Sequence, residues 1–290
     1  MSVSNIVIVG AKRTPIGSFQ GQFARCSAVD LGAAAIRGAV QQAGIDPADA
    51  GEVIMGCVLP AALGQAPARQ AGLKAGIPVS VGALTVNKVC GSGMKSVMLA
   101  HDLIKAGSGE TMIAGGMESM TGAPYLLPMA RGGMRMGHGE VLDHMFYDGL
   151  QSPYDGLMMG MFGEQCAARY EFSREDQDAF AAETVRRAQT AVADGTFDDE
   201  IVPVEVKTRR GETVHARDEE PARCSIEKMS ALRPAFKKDG TVTAANASKI
   251  SDGAAALVLT TADSAAERGL LPMARIVAHA THSHEPEWFT

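Results

Sequence analysis

The stretch "LTVNKVCGSGMKSVMLAHDLIKAG", residues 84–107, decides how the chain is read. A short apolar run rich in β-branched residues leads to Cys90, glycines follow at 91 and 93, and an amphipathic period then begins. That order predicts a strand, a tight corner and a helix. Met94, Val97, Met98 and Leu103 or Ile104 fall on one side of the helix, which stops near Gly107. A thiol at such a corner has a chemical use. Sulfur attacks carbonyl carbon as the thiolate, and a free thiol at neutral pH is ionised only to a few per cent. The unpaired N–H groups and positive dipole end of a helix favour a nearby anion. The corner resembles a nucleophile elbow, Gly91 and Gly93 leave room for a substrate, and the Cys90 N–H is placed to donate to an oxyanion. A lone cysteine is equally often a small buried hydrophobe, so position alone leaves both readings open.

Outward from this corner the first 120 residues alternate strand and helix signals. "NIVIVGAKR" is a buried-strand candidate. "SAVDLGAAAIRGAVQQAG" carries Ser27 as N-cap, Asp30 three residues on and Gly44 at the stop. "EVIMGCVLP", "ALTVNKV" and "ETMIAGG" supply further strands, and "APARQAGLKAG" a short helix. Continuous apolar strands between helices predict an α/β fold with a mostly parallel sheet covered on both faces. From Met117 to about Gly163 the periodicity fails in a Gly-, Pro- and Met-rich segment, which in a compact protein is more often functional than structural. A long helix follows, capped by Ser173 with Asp176 and ended at Gly195, and then two polar-edged strands, "EIVPVEVK" and "ETVHA". The style of the first region returns at "SDGAAALVLTTADSAAERGL". The expected organisation is therefore a core at 1–120, an insertion at 121–249, a return to the core at 250–275 and the start of a further domain at 276–290.

Composition narrows the class. The 290 residues are 46% hydrophobic and 21% charged, as in soluble globular proteins. The N-terminus shows no basic region ahead of an apolar core, and no run approaches a membrane span, so a cytoplasmic protein without membrane contact is expected. Five cysteines at 26, 57, 90, 166 and 224 form no close pairs, which suits free thiols in a reducing compartment. A net charge of −6 disfavours nucleic acid as a partner. His279, His282 and His284 cluster loosely in sequence, but as a ligand set they are poor, and no metal is expected. His101 sits about 16 Å along the helix from Cys90, out of reach of the thiol.

The segment "VNKVCGSGMKSV" closely resembles the nucleophile segment of the thiolases, enzymes that make or cleave 3-oxoacyl-CoA. "RTPIGSFQG", "GGMESMT", "LRPAFKKDGTVTAANASKISDGAAALVL" and "PEWFT" follow in thiolase order and spacing, so the resemblance covers essentially the whole chain. It implies an αβαβα architecture of two similar halves, with a loop domain inserted in the first. It also implies that Cys90 takes an acyl group from a thioester, and that deprotonated acetyl-CoA then attacks that group in a reversible Claisen condensation. Coenzyme A enters as part of the substrate, and no separate cofactor is implied. Position for position, Leu150 and Met159 are expected at the acyl and pantetheine end, Ala244 and Ser248 against the pantetheine with Phe236 bordering it, and Arg223 near the nucleotide phosphates. Many short-chain members have His before Met where this chain has Met158 and Met159.

The family's second half supplies an Asn in "NEAFA", a His in "GHP" and a Cys in "CxGGG", and none of these strings occurs here. The expectation is a thiolase N-terminal portion with the second half largely absent, inactive or partner-dependent alone, and a homodimer or homotetramer at full length. The alternatives are a non-catalytic CoA-binding or assembly subunit and one half of a split thiolase.

Overall fold

The structure, a computed structural model, describes residues 5–209 and 211–290. The first four residues of the segment expected to open with a strand lie outside the described residues. In chain order the elements are β1 (Ile6–Arg13), β2 (Gly17–Ser18), α1 (Ala28–Ala43), β3 (Glu52–Gly56), α2 (Pro67–Ala75), β4 (Gly82–Val86), α3 (Ser92–Lys105) and β5 (Thr111–Ser119). Then come β6 (Tyr125–Leu126), β7 (Leu142–Asp143), α4 (Met159–Arg169), α5 (Arg174–Asp194), β8 (Val204–Thr208), β9 (Gly211–His215) and α6 (Glu220–Arg223). The last are β10 (Ser251–Thr261), α7 (Ala262–Glu267) and β11 (Ala274–Arg275).

The helix boundaries follow the capping chemistry. Ser27 Oγ accepts from the Asp30 N–H while the Asp30 carboxylate accepts from the Ser27 N–H at 2.9 Å. Ser173 and Asp176 repeat this box at the start of α5. Gly44 and Gly195 end α1 and α5 at φ 68° and 75°, left-handed conformations in which glycine carries no Cβ penalty.

The chain divides into two compact units. The first holds the residues up to Gly122, Asp198–Arg217 and Ser251–Ala280. Its seven-stranded sheet runs β11-β1-β10-β5-β3-β4, with β2 against β10. Only the β3–β4 and β3–β5 pairs are parallel, so the sheet is mixed rather than mostly parallel. The cause is β10. It reaches the sheet from the inserted segment rather than through a crossover helix, and it lies antiparallel to both β1 and β5. Strand alternation gives the sheet two apolar faces. Val53, Ile113 and Val258 share one core with Leu31 and Ile36 of α1 and with Ala68 and Ala71 of α2. Ile54, Met112 and Leu259 share the other with Ala100 and Ile104 of α3.

The β8–β9 hairpin, expected within the insertion, belongs to the sheet unit. The Arg13 N–H donates to Glu200 O at 2.9 Å, the Val202 N–H donates to Arg13 O at 2.8 Å, and Val204 and Val206 are buried in the first core. The second unit comprises Ala123–Phe197, Asp218–Ile250 and Thr281–Thr290. Phe162 is its largest buried side chain and meets Phe289 edge-on at 5.7 Å. Part of the segment without periodicity is ordered here, as the β6–β7 pair and a π-helical turn at Phe146–Leu150.

The inward face of α3 agrees with the expected one at Ile104, with Val97 and Leu103 packed against the same core, and differs at the start of the helix. Its buried residues are Ser92, Ser96, Ala100 and Ile104, while Met94 is 74% exposed. Small residues face inward because the helix start lies against bare backbone. A Cβ on Gly56 would stand 2.5 Å from Ser92 C and 2.6 Å from Gly93 N, and one on Gly116 would stand 3.1 Å from Gly93 Cα. Ser96 Oγ donates to Gly115 O at 2.6 Å, tying the helix to β5. Gly56→Ala is therefore expected to cost about 1–3 kcal/mol through overpacking. Urea unfolding checks this, with Gly76→Ser, at an exposed left-handed cap, as the comparison for strain without crowding.

Candidate active site

Cys90 stands one residue before the N-cap of α3 and is exposed. Val89 holds φ at 47°, a left-handed conformation unfavourable for a β-branched residue. The strain is fixed by local hydrogen bonds. The Val89 N–H donates to Asn87 Oδ1 at 2.9 Å, Ser92 Oγ donates to Val89 O at 2.5 Å and accepts from the Lys88 N–H at 2.8 Å, and the Gly91 N–H donates to Lys88 O at 3.1 Å. This clamp turns the Cys90 side chain out of the sheet, as in a nucleophile elbow. Among the described residues the Cys90 N–H has no acceptor, which leaves it open to a developing oxyanion. Asn87 and Ser92 set the corner, and they were missed in the sequence because a turn-forming Asn and a helix-start Ser are common without any such role.

Two other thiols of this unit are held protonated. Burial pushes Cys57 up to about 12, assisted by the Glu118 carboxylate, whose Oε1 lies 3.6 Å from its sulfur. Burial, with Asp30 nearby, pushes Cys26 up to about 11. Raised values keep both as unreactive thiols at pH 8. Iodoacetamide at that pH is expected to label Cys90 well before Cys26 or Cys57. Peptide mapping over a time course measures the order, and early labelling of Cys57 would contradict it.

The other residues named from the sequence lie in the second unit. Leu150 ends the π-helical turn, and Met159 begins α4. The isolated antiparallel bridge Gln151↔Met158, with the Ser152 N–H donating to Leu157 O at 2.8 Å, folds the chain between them so that the two approach. Phe236 is placed at the start of α4, its ring lying where any side chain at Gly160 would stand. Ala244 and Ser248 are exposed on one loop, and Ser248 lines an open cleft of about 340 Å³ with Phe180, Pro221, Cys224, Ala245 and Ala247. Arg223 ends α6 next to that cleft's Cys224 and pairs with Glu219 at 3.4 Å.

The loop carrying Ala244 and Ser248 is fixed by a buried carboxylate. Glu164, 8% exposed, accepts from the N–H groups of Thr241 and Val242 at 2.9 Å each. Asn246 Nδ2 donates to Asp178 Oδ1 at 2.9 Å, and Arg174 pairs with Asp178 at 2.7 Å while donating to the carbonyls of Met229 and Leu232. In the sheet unit Asp252 has the corresponding task. It accepts from the Thr121 N–H at 2.9 Å and so clips the end of β5 to β10, and burial holds its carboxyl above the usual range. Glu164→Leu is expected to cost about 1–3 kcal/mol by orphaning two buried N–H groups. Hydrogen exchange is expected to report the loss locally, at Thr241 and Val242.

The histidines regroup. His279 lies against His101 and Asp102, and His282 against His284 at 5.2 Å between rings.

A family model, thiolase N-terminal domain, matches residues 6–263. The acetyl-CoA acetyltransferase of Escherichia coli strain K12 is 51% identical over 286 residues, covering 98% of this chain and 73% of that relative. Acetyl-CoA acetyltransferase 1 of Arabidopsis thaliana is 50% identical over 289 residues, covering 99% of this chain and 70% of its own length. The crystal structure of the Bacillus anthracis acetyl-CoA acetyltransferase superposes with a TM-score of 0.96 at 40% identity, covering 99% of this chain and 73% of that one. With the strand-to-helix thiol in place and this agreement along nearly its whole length, the chain belongs to the thiolase family.

Proposed function

We propose that this protein is an acetyl-CoA C-acetyltransferase that works through an acyl-enzyme at Cys90. The observation that carries the proposal is the exposed Cys90 sulfur at the start of α3, beside an open backbone N–H, in a chain whose relatives are acetyl-CoA acetyltransferases. The Cys90 thiolate attacks the thioester carbonyl of acetyl-CoA, the negative charge passes to the carbonyl oxygen, and the Cys90 N–H donates to it. Collapse expels the CoA thiolate, which takes up the proton that Cys90 released. In the second half-reaction the α-carbon of another acetyl-CoA gives up a proton to solvent and attacks the acyl-cysteine, the Cys90 thiolate leaves with acetoacetyl-CoA formed, and the thiolate recovers the proton to restore the thiol. Thiolysis runs the same steps backwards. The His and second Cys strings of the family are not among the 290 residues, so acyl transfer to Cys90 is the half-reaction that this chain's own residues carry.

In the second unit, Leu150 and Met159 are proposed to hold the acyl and pantetheine end, Ala244 and Ser248 the pantetheine with Phe236 bordering it, and Arg223 the phosphates. The apolar-lined cleft beside Ser248 and the rigidly held 241–249 loop support this, since a preorganised wall loses little entropy when the long pantetheine arm binds. No separate cofactor is needed for this chemistry. Assembly as a homodimer or homotetramer is proposed from the exposed Leu84 and Val89 on and just beyond edge strand β4. Among the described residues no helix is long and apolar enough to cross a membrane, and a cytoplasmic location is part of the proposal.

Incubation with acetyl-CoA followed by intact-mass and peptide mass spectrometry tests the acyl-enzyme. A single acetyl group on Cys90 is expected, lost on hydroxylamine treatment and missing in Cys90→Ala. Acetylation at other thiols with Cys90 unmodified would overturn the assignment.

A further inference from the structure

The outer face of α3 carries a second group of chemistry-bearing side chains. His101 Nδ1 and Asp102 Oδ1 lie 3.0 Å apart, His279 Nε2 lies 3.0 Å from the same Oδ1, and the two ring nitrogens are 3.1 Å apart. The imidazole planes meet at 90° with their centroids 4.8 Å apart. Three ligand atoms thus form a nearly equilateral triangle.

Hydrogen bonding does not satisfy this triangle. If both nitrogens carry protons and donate to Asp102 Oδ1, two N–H groups face each other along the third edge. If only one is protonated, the other nitrogen turns its lone pair toward the carboxylate oxygen. A divalent cation satisfies all three atoms together. With metal–ligand bonds of about 2.0–2.1 Å, the observed edges place an ion roughly 1 Å above the triangle with ligand–ion–ligand angles of about 95°. That lies between the octahedral and tetrahedral values, with the remaining positions open to water. Imidazole and carboxylate together suit zinc and its neighbours among the transition metals.

We propose that His101, Asp102 and His279 form a binding site for a divalent transition-metal ion, with Zn²⁺ as its representative. The site joins the chain just beyond β11 to the helix that begins beside Cys90. The Ile276 N–H donates to Ile6 O at 3.0 Å, so the sheet brings His279 to α3 and the ion fixes it there. The role is structural: binding requires the folded pairing of residues more than 170 apart in sequence, so the ion stabilises the native state.

Calorimetric titration of the chelator-treated protein with ZnCl₂ tests the site. One equivalent is expected to bind, with affinity at least about tenfold weaker in Asp102→Ala and His279→Gln, and unchanged in the double variant H282A/H284A, which removes the neighbouring pair. The melting temperature is expected to rise with Zn²⁺ in the wild type and in H282A/H284A only. Circular dichroism of each metal-free variant establishes that it is folded, and Co²⁺ provides a second reading through its visible absorption. Absence of saturable binding, or binding abolished by H282A/H284A but retained in Asp102→Ala, would overturn the proposal.

Discussion

The approach of α3 to the sheet rests on the absence of a side chain at Gly56, with Gly116 as a second close point. A Cβ on Gly56, at the end of β3, would stand 2.5 Å from Ser92 C and 2.6 Å from Gly93 N, and one on Gly116 in β5 would crowd Gly93 Cα at 3.1 Å, so the helix start lies directly on the backbone of two strands. Close packing makes that constraint stiff, since neither strands nor helix has free volume in which to move aside. Everything at the Cys90 corner follows. The short link from β4 to α3 has to turn sharply, Val89 takes up a left-handed conformation, and the hydrogen bonds of Asn87 and Ser92 hold it there. The thiol then projects away from the core, in contrast to Cys57, which is buried against Glu118 at the end of the neighbouring strand. Two cysteines near adjacent strand ends thus have opposite chemical characters.

The second unit is organised on a different principle. Its loop at 241–249 lies in no strand or helix, is tied to the chain at 234–235 by one isolated antiparallel bridge, and takes the rest of its shape from buried and half-buried polar groups: Glu164 beneath Thr241 and Val242, and the Arg174–Asp178–Asn246 chain beside it. Such a network is worth having only when it is complete, because each unmade bond leaves a desolvated polar group. The return is a loop whose small side chains, Ala244 through Ser248, keep fixed positions. A wall of small residues on a rigid backbone suits a long flexible ligand arm better than a wall of mobile large ones.

How much of this was legible in the sequence depends on the range of the interaction. Both capping boxes and both left-handed glycine stops were readable, because three or four consecutive residues contain the whole cause. Cys90 was readable as a strand-to-helix thiol for the same reason, and the order of motifs identified the family. On α3, Ile104 and Val97 were readable as core-facing, but the start of the helix was misjudged because apolar periodicity selects Met94, whereas contact with bare backbone selects Ser92, Ser96 and Ala100. The mixed sheet was missed because the direction of β10 is set by partners more than a hundred residues away. Glu164 reads as an ordinary helix-surface residue, and its ligands are backbone N–H groups that no sequence pattern announces. His279 was grouped with its neighbours in sequence, while the fold pairs it with His101 on another element.

The central claim is that glycine-mediated contact places a reactive sulfur at the solvent edge of the sheet. A crystal structure of the protein flash-cooled after exposure to acetyl-CoA addresses it most directly. The account predicts an acetyl thioester on Cys90 Sγ, its carbonyl oxygen within hydrogen-bonding distance of the Cys90 N–H, and the Gly56–Ser92 backbone contact intact. A Cys90 side chain turned into the Ile54–Ala100–Leu259 core, with α3 lifted from the glycines, would contradict it.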